Sequence, residues 1–201
     1  MKRKMPVVLI IIALLFGIAA FGPGTKTLAQ DGGEGYAGRT ITGTVYFIAG
    51  RRPGRSMPFT LIINRLTTAE EVRQLNSALQ SGQDNLMRTL SRMDAGRIQI
   101  GTNVGVPANA IMVTDQGDGR TKLTVLYERN LRFAELRYGA RSVDYPFGYA
   151  EMFVGRGDNE GMLIPAARVR LRGDSTWEVE DFGTFPARLM GLRVRGRSSV
   201  G

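Results

Sequence analysis

The chain of 201 residues contains no cysteine and no histidine. Without cysteine there is no disulfide, thiolate nucleophile or thiolate-held metal, so the fold rests on its core alone. Without histidine there is no Ser-His-Asp or Cys-His triad, no imidazole-ligated zinc and no imidazole acid–base step. Lysine is almost absent too: after Lys26 the only one is Lys122, so serine–lysine chemistry would have to use that residue. Paired carboxylates are the main catalytic route left.

What is present starts with a leader-like segment. Lys2, Arg3 and Lys4 precede the uncharged run Val7–Phe21. Gly22-Pro23-Gly24 then breaks any helix, and Thr27 and Ala29 place small residues at −3 and −1 of a cut after Ala29. That order describes a secretory signal over residues 1–29. The competing reading is an N-terminal membrane anchor, for which an apolar run of 15 residues is short against the roughly 20 a spanning helix needs. Either reading exports the remaining chain, as a periplasmic or secreted protein or one anchored to the outer face of the inner membrane. Four basic residues precede position 30, so the formal charge falls from +9 to +5 once the leader is removed. A mildly basic exported domain does not call for nucleic acid as its partner.

Residues 30–38 read as a flexible lead-in, and 39–197 as one β-rich domain. Period-two alternation begins at Ile41-x-x-x-Val45-x-Phe47 and returns at Phe59–Leu66. Between the second strand and Arg97 stands a helical insertion over 68–95. Thr68-x-x-Glu71 is a capping box, and Val72, Leu75 and Leu79 fall on one face. Gly82 stops the first helix, and Asp84 caps a second with apolar face Leu86, Leu90 and Met93.

From Arg97 onward the pattern is again β. Ala108–Asp115 and Thr121–Glu128 flank Gln116-Gly117-Asp118-Gly119 as a hairpin, with Ile111 and Val113 facing Val125 and Leu123. A weaker strand is expected over 133–138. Phe147–Val154 and Met162–Leu171 form a second hairpin, in which Pro165 demands an edge or a bulge. Trp177–Phe182 and Leu189–Arg195 complete the set. The fold class is therefore mainly β (α+β): an antiparallel barrel or sandwich of about nine strands, with a helical hairpin inserted after the second.

Arginine supplies the candidate binding groups. Arg168, Arg170 and Arg172 alternate on one strand, and Arg193, Arg195 and Arg197 on another. An arginine face suits an anionic envelope component, because guanidinium forks onto carboxylate and phosphate. The first group has a rival explanation. A three-residue loop at 173–175 sets Arg172 against Thr176, Arg170 against Glu178 and Arg168 against Glu180, while Leu171 meets Trp177 and Val169 meets Val179. Those arginines then pair across the strands, leaving Arg193, Arg195 and Arg197 unneutralised.

The remaining signals have plain readings beside their functional ones. Arg156-Gly157-Asp158 is an adhesion-type tripeptide at a hairpin tip, but glycine and aspartate are also what turns need. Asp158, Asn159 and Glu160, with Asp115 and Asp118, could offer oxygen to calcium, without the spacing of a calcium loop. Glu151, Glu178, Glu180 and Asp181 are the carboxylates open to hydrolysis, with Glu178 and Glu180 about 7 Å apart along a strand. The aromatics, from Tyr46 to Trp177, suit core more than pocket.

The expected function is a non-enzymatic binding or structural module of the cell envelope, with no cofactor and no metal. Its alternatives are a carrier of an apolar small molecule or lipid in a barrel cavity, and a carboxylate-dependent hydrolase. In the carrier reading Val72, Leu75, Leu79, Leu86 and Leu90 form a cover over a pocket.

Overall fold

Alternating residues become the two faces of a barrel wall. The structure, a computed structural model, describes residues 9–10, 34–48, 54–129, 144–172, 176–182 and 186–196. The strand expected over 133–138, the 173–175 loop, Arg197 and the leader apart from residues 9–10 lie outside the described residues. The elements in chain order are a two-residue strand β1 (Leu9–Ile10), a single 3-10 turn (Glu34–Tyr36), then β2 (Thr40–Tyr46), β3 (Ser56–Ile63), helices α1 (Ala69–Gln80) and α2 (Gln83–Leu90), β4 (Gly96–Ile100) and β5 (Val106–Ala108). They continue with β6 (Ala110–Asp115), β7 (Arg120–Glu128), β8 (Phe147–Gly155), β9 (Glu160–Arg172), β10 (Thr176–Asp181) and β11 (Ala187–Arg195). No helix among the described residues is long and apolar enough to cross a membrane.

Ten of these strands, β2 to β11, make a nearly closed antiparallel barrel. The hydrogen-bonded path runs β5-β4-β3-β2-β11-β9-β8-β7-β6. Its two ends, β5 and β6, are separated in the chain only by Asn109, so one bent strand belongs to both ends of the path. Asn109 holds that corner. Its Nδ2 donates to Met93 O at 3.0 Å, and its Oδ1 accepts Glu128 N at 2.9 Å. A buried amide with both ends bonded is one of the few polar groups a packed corner tolerates.

The barrel departs from a simple meander at β9. Glu160–Leu163 pair with β11, whereas Ala167–Arg172 pair with β10. Pro165 stands where the partner changes, and the β8–β9 register slips between Phe147 and Tyr149. The proline has no amide to give, so a bulge costs the ladder little there. The outer edge of β10 is met by β1, with Leu9 opposite Glu180.

Two cores result. Ile41, Phe59, Leu61, Ile63, Val125 and Leu189 are among the residues that fill the barrel interior. A second core lies outside the wall. There Leu75, Leu79, Leu86 and Leu90 pack with Tyr149, Ile164 and Trp177. The helical hairpin therefore covers the outer wall, α1 against β9 and α2 against β7. Its seam is pinned by Trp177 Nε1 donating to Asn76 Oδ1 at 2.6 Å and by Gln83 Nε2 donating to Val169 O.

The capping box forms as the spacing requires: Glu71 N donates to Thr68 Oγ1 at 3.2 Å, and Thr68 N to Glu71 Oε2 at 2.8 Å. Arg65 Nη1 adds a bond to the same carboxylate at 2.8 Å, and this guanidinium holds the Glu71 carboxyl below its usual range. Thr68→Ala should cost about 1 kcal/mol in urea denaturation; an unchanged midpoint would mean the cap is idle. The second helix starts otherwise than its sequence suggests. Its cap residue is Gly82, at φ 113°, and Asp84 lies inside the first turn without capping. Ser81-Gly82 turns too sharply for Asp84 to stand at the boundary, and its carboxylate there favours the helix N-terminus only through the dipole.

Candidate functional site

The part of the wall that the helices leave bare has a distinct chemistry. Outward residues of β11, β2, β3 and β4 line up in rows fixed by the strand register. One row runs Arg195, Thr40, Ile62, Arg97, and the next Arg193, Thr42, Thr60, Gln99. Beyond them Met190 meets Thr44 and Pro58, then Arg188 meets Tyr46 and Ser56. Four arginines thus bound a lattice of threonine and apolar side chains. None of these outward residues is acidic, and the chain has no Asp or Glu between Glu34 and Glu70.

Among the described residues nothing covers this face. Arg188, Arg193, Arg195 and Arg97 are all exposed. Among the described residues, none of Arg188, Arg193 and Arg195 enters an ion pair. Between them stand Tyr46 at 40 %, Ile62 at 36 % and Met190 at 50 % exposure, large apolar groups on an open surface. A bulge at Gly191 (φ 61°) keeps the side chains outward, so Arg188 and Met190 before it and Arg193 and Arg195 after it share one face.

Arg193 and Arg195 were read from the sequence, and they stand on this wall. Arg188 and Arg97 were missed. Arg188 sits in the same alternation as Arg193, offset by the bulge, and Arg97 comes from a strand almost a hundred residues away.

Arg168 and Arg170 do not join the wall. They lie on the β9–β10 arm, in the register expected: Arg170 opposite Glu178 and Arg168 opposite Glu180. The ion pair runs diagonally, with Arg170 Nη2 at 3.0 Å from Glu180 Oε2. Glu180 is not on a solvent face, as that register suggested, but buried. Its Oε1 accepts Tyr145 Oη at 2.6 Å, and Tyr145 stacks at a tilt on Phe182.

The carboxylates proposed for hydrolysis are engaged separately. Glu151 stands on the outer wall of β8, where Oε2 accepts Tyr149 Oη at 2.9 Å and lies 3.9 Å from Lys122 Nζ. Glu180 is bound into the arm instead. Asp115 and Asp118 bond the amides of their own turn, at Gly117 and Arg120. Asn159 accepts from Gly155 N and donates to Leu192 O. Among the described residues no group of three carboxylates converges as a metal site would need. Arg156-Gly157-Asp158 is exposed at the β8–β9 tip, with the Arg156 stem packed beside Gly119.

The helical stripe is placed as well. Leu75, Leu79, Leu86 and Leu90 are buried and Val72 is half-buried, against side chains of the outer core. An open polar groove of about 670 Å³ lies between the helices, lined by residues such as Gln74, Ser77, Asn85 and Arg88.

No family model, curated protein or solved structure matches this chain.

Proposed function

We propose that this chain is an exported, non-enzymatic binding module of the cell envelope that docks its bare barrel wall on an anionic lipid surface. One observation carries the reading: four exposed arginines frame Tyr46, Ile62 and Met190 on a face where β2, β3, β4 and β11 bring no carboxylate outward and the one beside it, Glu160 of β9, stands at the edge opposite Met190. Guanidinium groups suit phosphate headgroups, and the apolar side chains between them suit the headgroup–acyl boundary. The leader pattern supports the location, since it directs the domain to a compartment bounded by membrane.

Each arginine near an anionic surface contributes on the order of 1 kcal/mol, so R193Q/R195Q should weaken binding about thirtyfold. The measurement is co-sedimentation with vesicles of pure phosphatidylcholine and with an equimolar mixture containing phosphatidylglycerol. Binding only to the mixture, lost in high salt and reduced in the double variant, is expected. Equal binding to both vesicle types, or no effect of R193Q/R195Q, would sink the proposal.

A further inference from the structure

One strand, β10, stands off the hydrogen-bonded path that runs from β5 to β6. It lies along β9 through all six of its residues, from Thr176 opposite Arg172 to Asp181 opposite Ala167. Among the described residues its other edge is paired only by β1, with Leu9 opposite Glu180 and Ile10 opposite Val179. A strand edge carries amides and carbonyls that a further extended segment can complete. Natural edges are commonly guarded by proline, lysine or a bulge. Thr176–Asp181 has no proline and no basic residue, and its register with β9 is unbroken.

The segment seated there belongs to the leader. Val7–Ile12 reads VVLIII, in which every residue but Leu9 is β-branched, so the run suits a strand as well as a signal. The register extends a row of the outer core: Val169 and Val179 are buried in that core, and position 10 comes next in line. An uncharged segment also suits an edge that holds Glu178, Glu180 and Asp181. A second copy of β10 does not, since antiparallel pairing about Val179 sets Glu178 of one copy against Glu180 of the other. Cutting after Ala29 removes β1 and leaves both cores whole, because every described residue in them lies between Tyr36 and Val194.

We propose that the outer edge of β10 is a strand-acceptor site, which takes an extended, uncharged, β-branched segment of another polypeptide once the leader is gone. In the precursor the leader holds the site and displays the chemistry of that ligand. The site rests on the export reading through the leader's removal, and not on the lipid surface.

The probe is a fluorescein-labelled peptide of residues 2–14, whose basic start keeps it in solution. Its anisotropy is measured against the chain of residues 30–201 and against the full chain. The shorter chain should bind it. The full chain should bind it about tenfold more weakly or less, because the tethered leader competes at an effective concentration on the order of millimolar. The same peptide N-methylated at Leu9 and Ile10 keeps its side chains but loses whichever amide faces β10, and should bind about tenfold more weakly. Amide exchange over 176–181, read by mass spectrometry, should slow when the unmodified peptide is bound. No binding to 30–201, equal binding to the full chain, undiminished binding of the N-methylated peptide, or unchanged exchange over 176–181 would each overturn the proposal. So would self-association of 30–201 in place of peptide binding, which makes a second copy the occupant, or a 30–201 chain unfolded by circular dichroism, which makes β1 part of the fold.

Discussion

Leu86→Asp should unfold the domain, and should do more than release a pair of helices from an intact barrel. Leu86 is fully buried in the outer core, where α2 lies against the wall. Truncation to alanine should cost about 3 kcal/mol through lost packing and the cavity left behind. An aspartate adds an unpaired charge, taking the loss beyond about 4 kcal/mol, a large share of what holds a domain of this size. The sole tryptophan makes the experiment decisive. Trp177 is buried in the same core and bonded to Asn76 of α1, so its fluorescence reports the hairpin's docking. Far-UV circular dichroism, dominated by the strands, reports the barrel. In urea the two transitions should coincide in the wild type and in Leu86→Ala, because cover and wall form one cooperative unit. A fluorescence change that precedes the loss of β signal would identify a lid that undocks alone.

That outcome bears on what the sequence could disclose. The β9–β10 register was legible because it satisfied two faces at once: Trp177 opposite Leu171 on the buried side and carboxylates opposite arginines on the other. The β6–β7 hairpin was legible for the same reason, with Ile111 opposite Val125. Local chemistry fixed the capping box and the break at Gly82. Barrel closure was hidden, because it depends on Asn109, which the sequence places inside a single strand 108–115 and the structure sets at the corner between β5 and β6. Its partners, Met93 and Glu128, are 16 and 19 residues away. The arginine wall was hidden for a related reason. Its rows draw one residue from each of four strands, and only the register brings Arg97 onto the face of Arg195. Pro165 announced a bulge, yet nothing local said that β9 would exchange one partner for another there. The helical stripe showed that something had to be covered, but a single stripe fits the outside of a wall as well as the mouth of a barrel.

The same outer wall holds the charge most dependent on its partner. Lys122 and Glu151, with side chains 10 % and 6 % exposed, stand on adjacent strands β7 and β8. Removing the lysine should be severe. In Lys122→Met the Glu151 carboxylate keeps, among the described residues, only the Tyr149 hydroxyl at 2.9 Å, in a setting that offers little water. That hydroxyl remains protonated, since burial and the neighbouring carboxylate both push its pKa well above the usual value. One neutral donor does not compensate a buried charge, so the single variant should lose about 3–5 kcal/mol. Replacing both groups with carbon should restore most of that loss: Lys122→Met with Glu151→Leu is expected near wild-type stability, because the pair's attraction and its desolvation roughly cancel. A double-mutant cycle in urea measures the coupling directly. Lysine chemistry offers a second reading of the same burial. On the leaderless chain Lys122 is the only side-chain amine, so an amine-reactive reagent should modify little beyond the N-terminus until the domain unfolds. Rapid labelling of Lys122 in the folded protein, or a single variant no less stable than the double, would show that the pair is solvated and carries no structural charge.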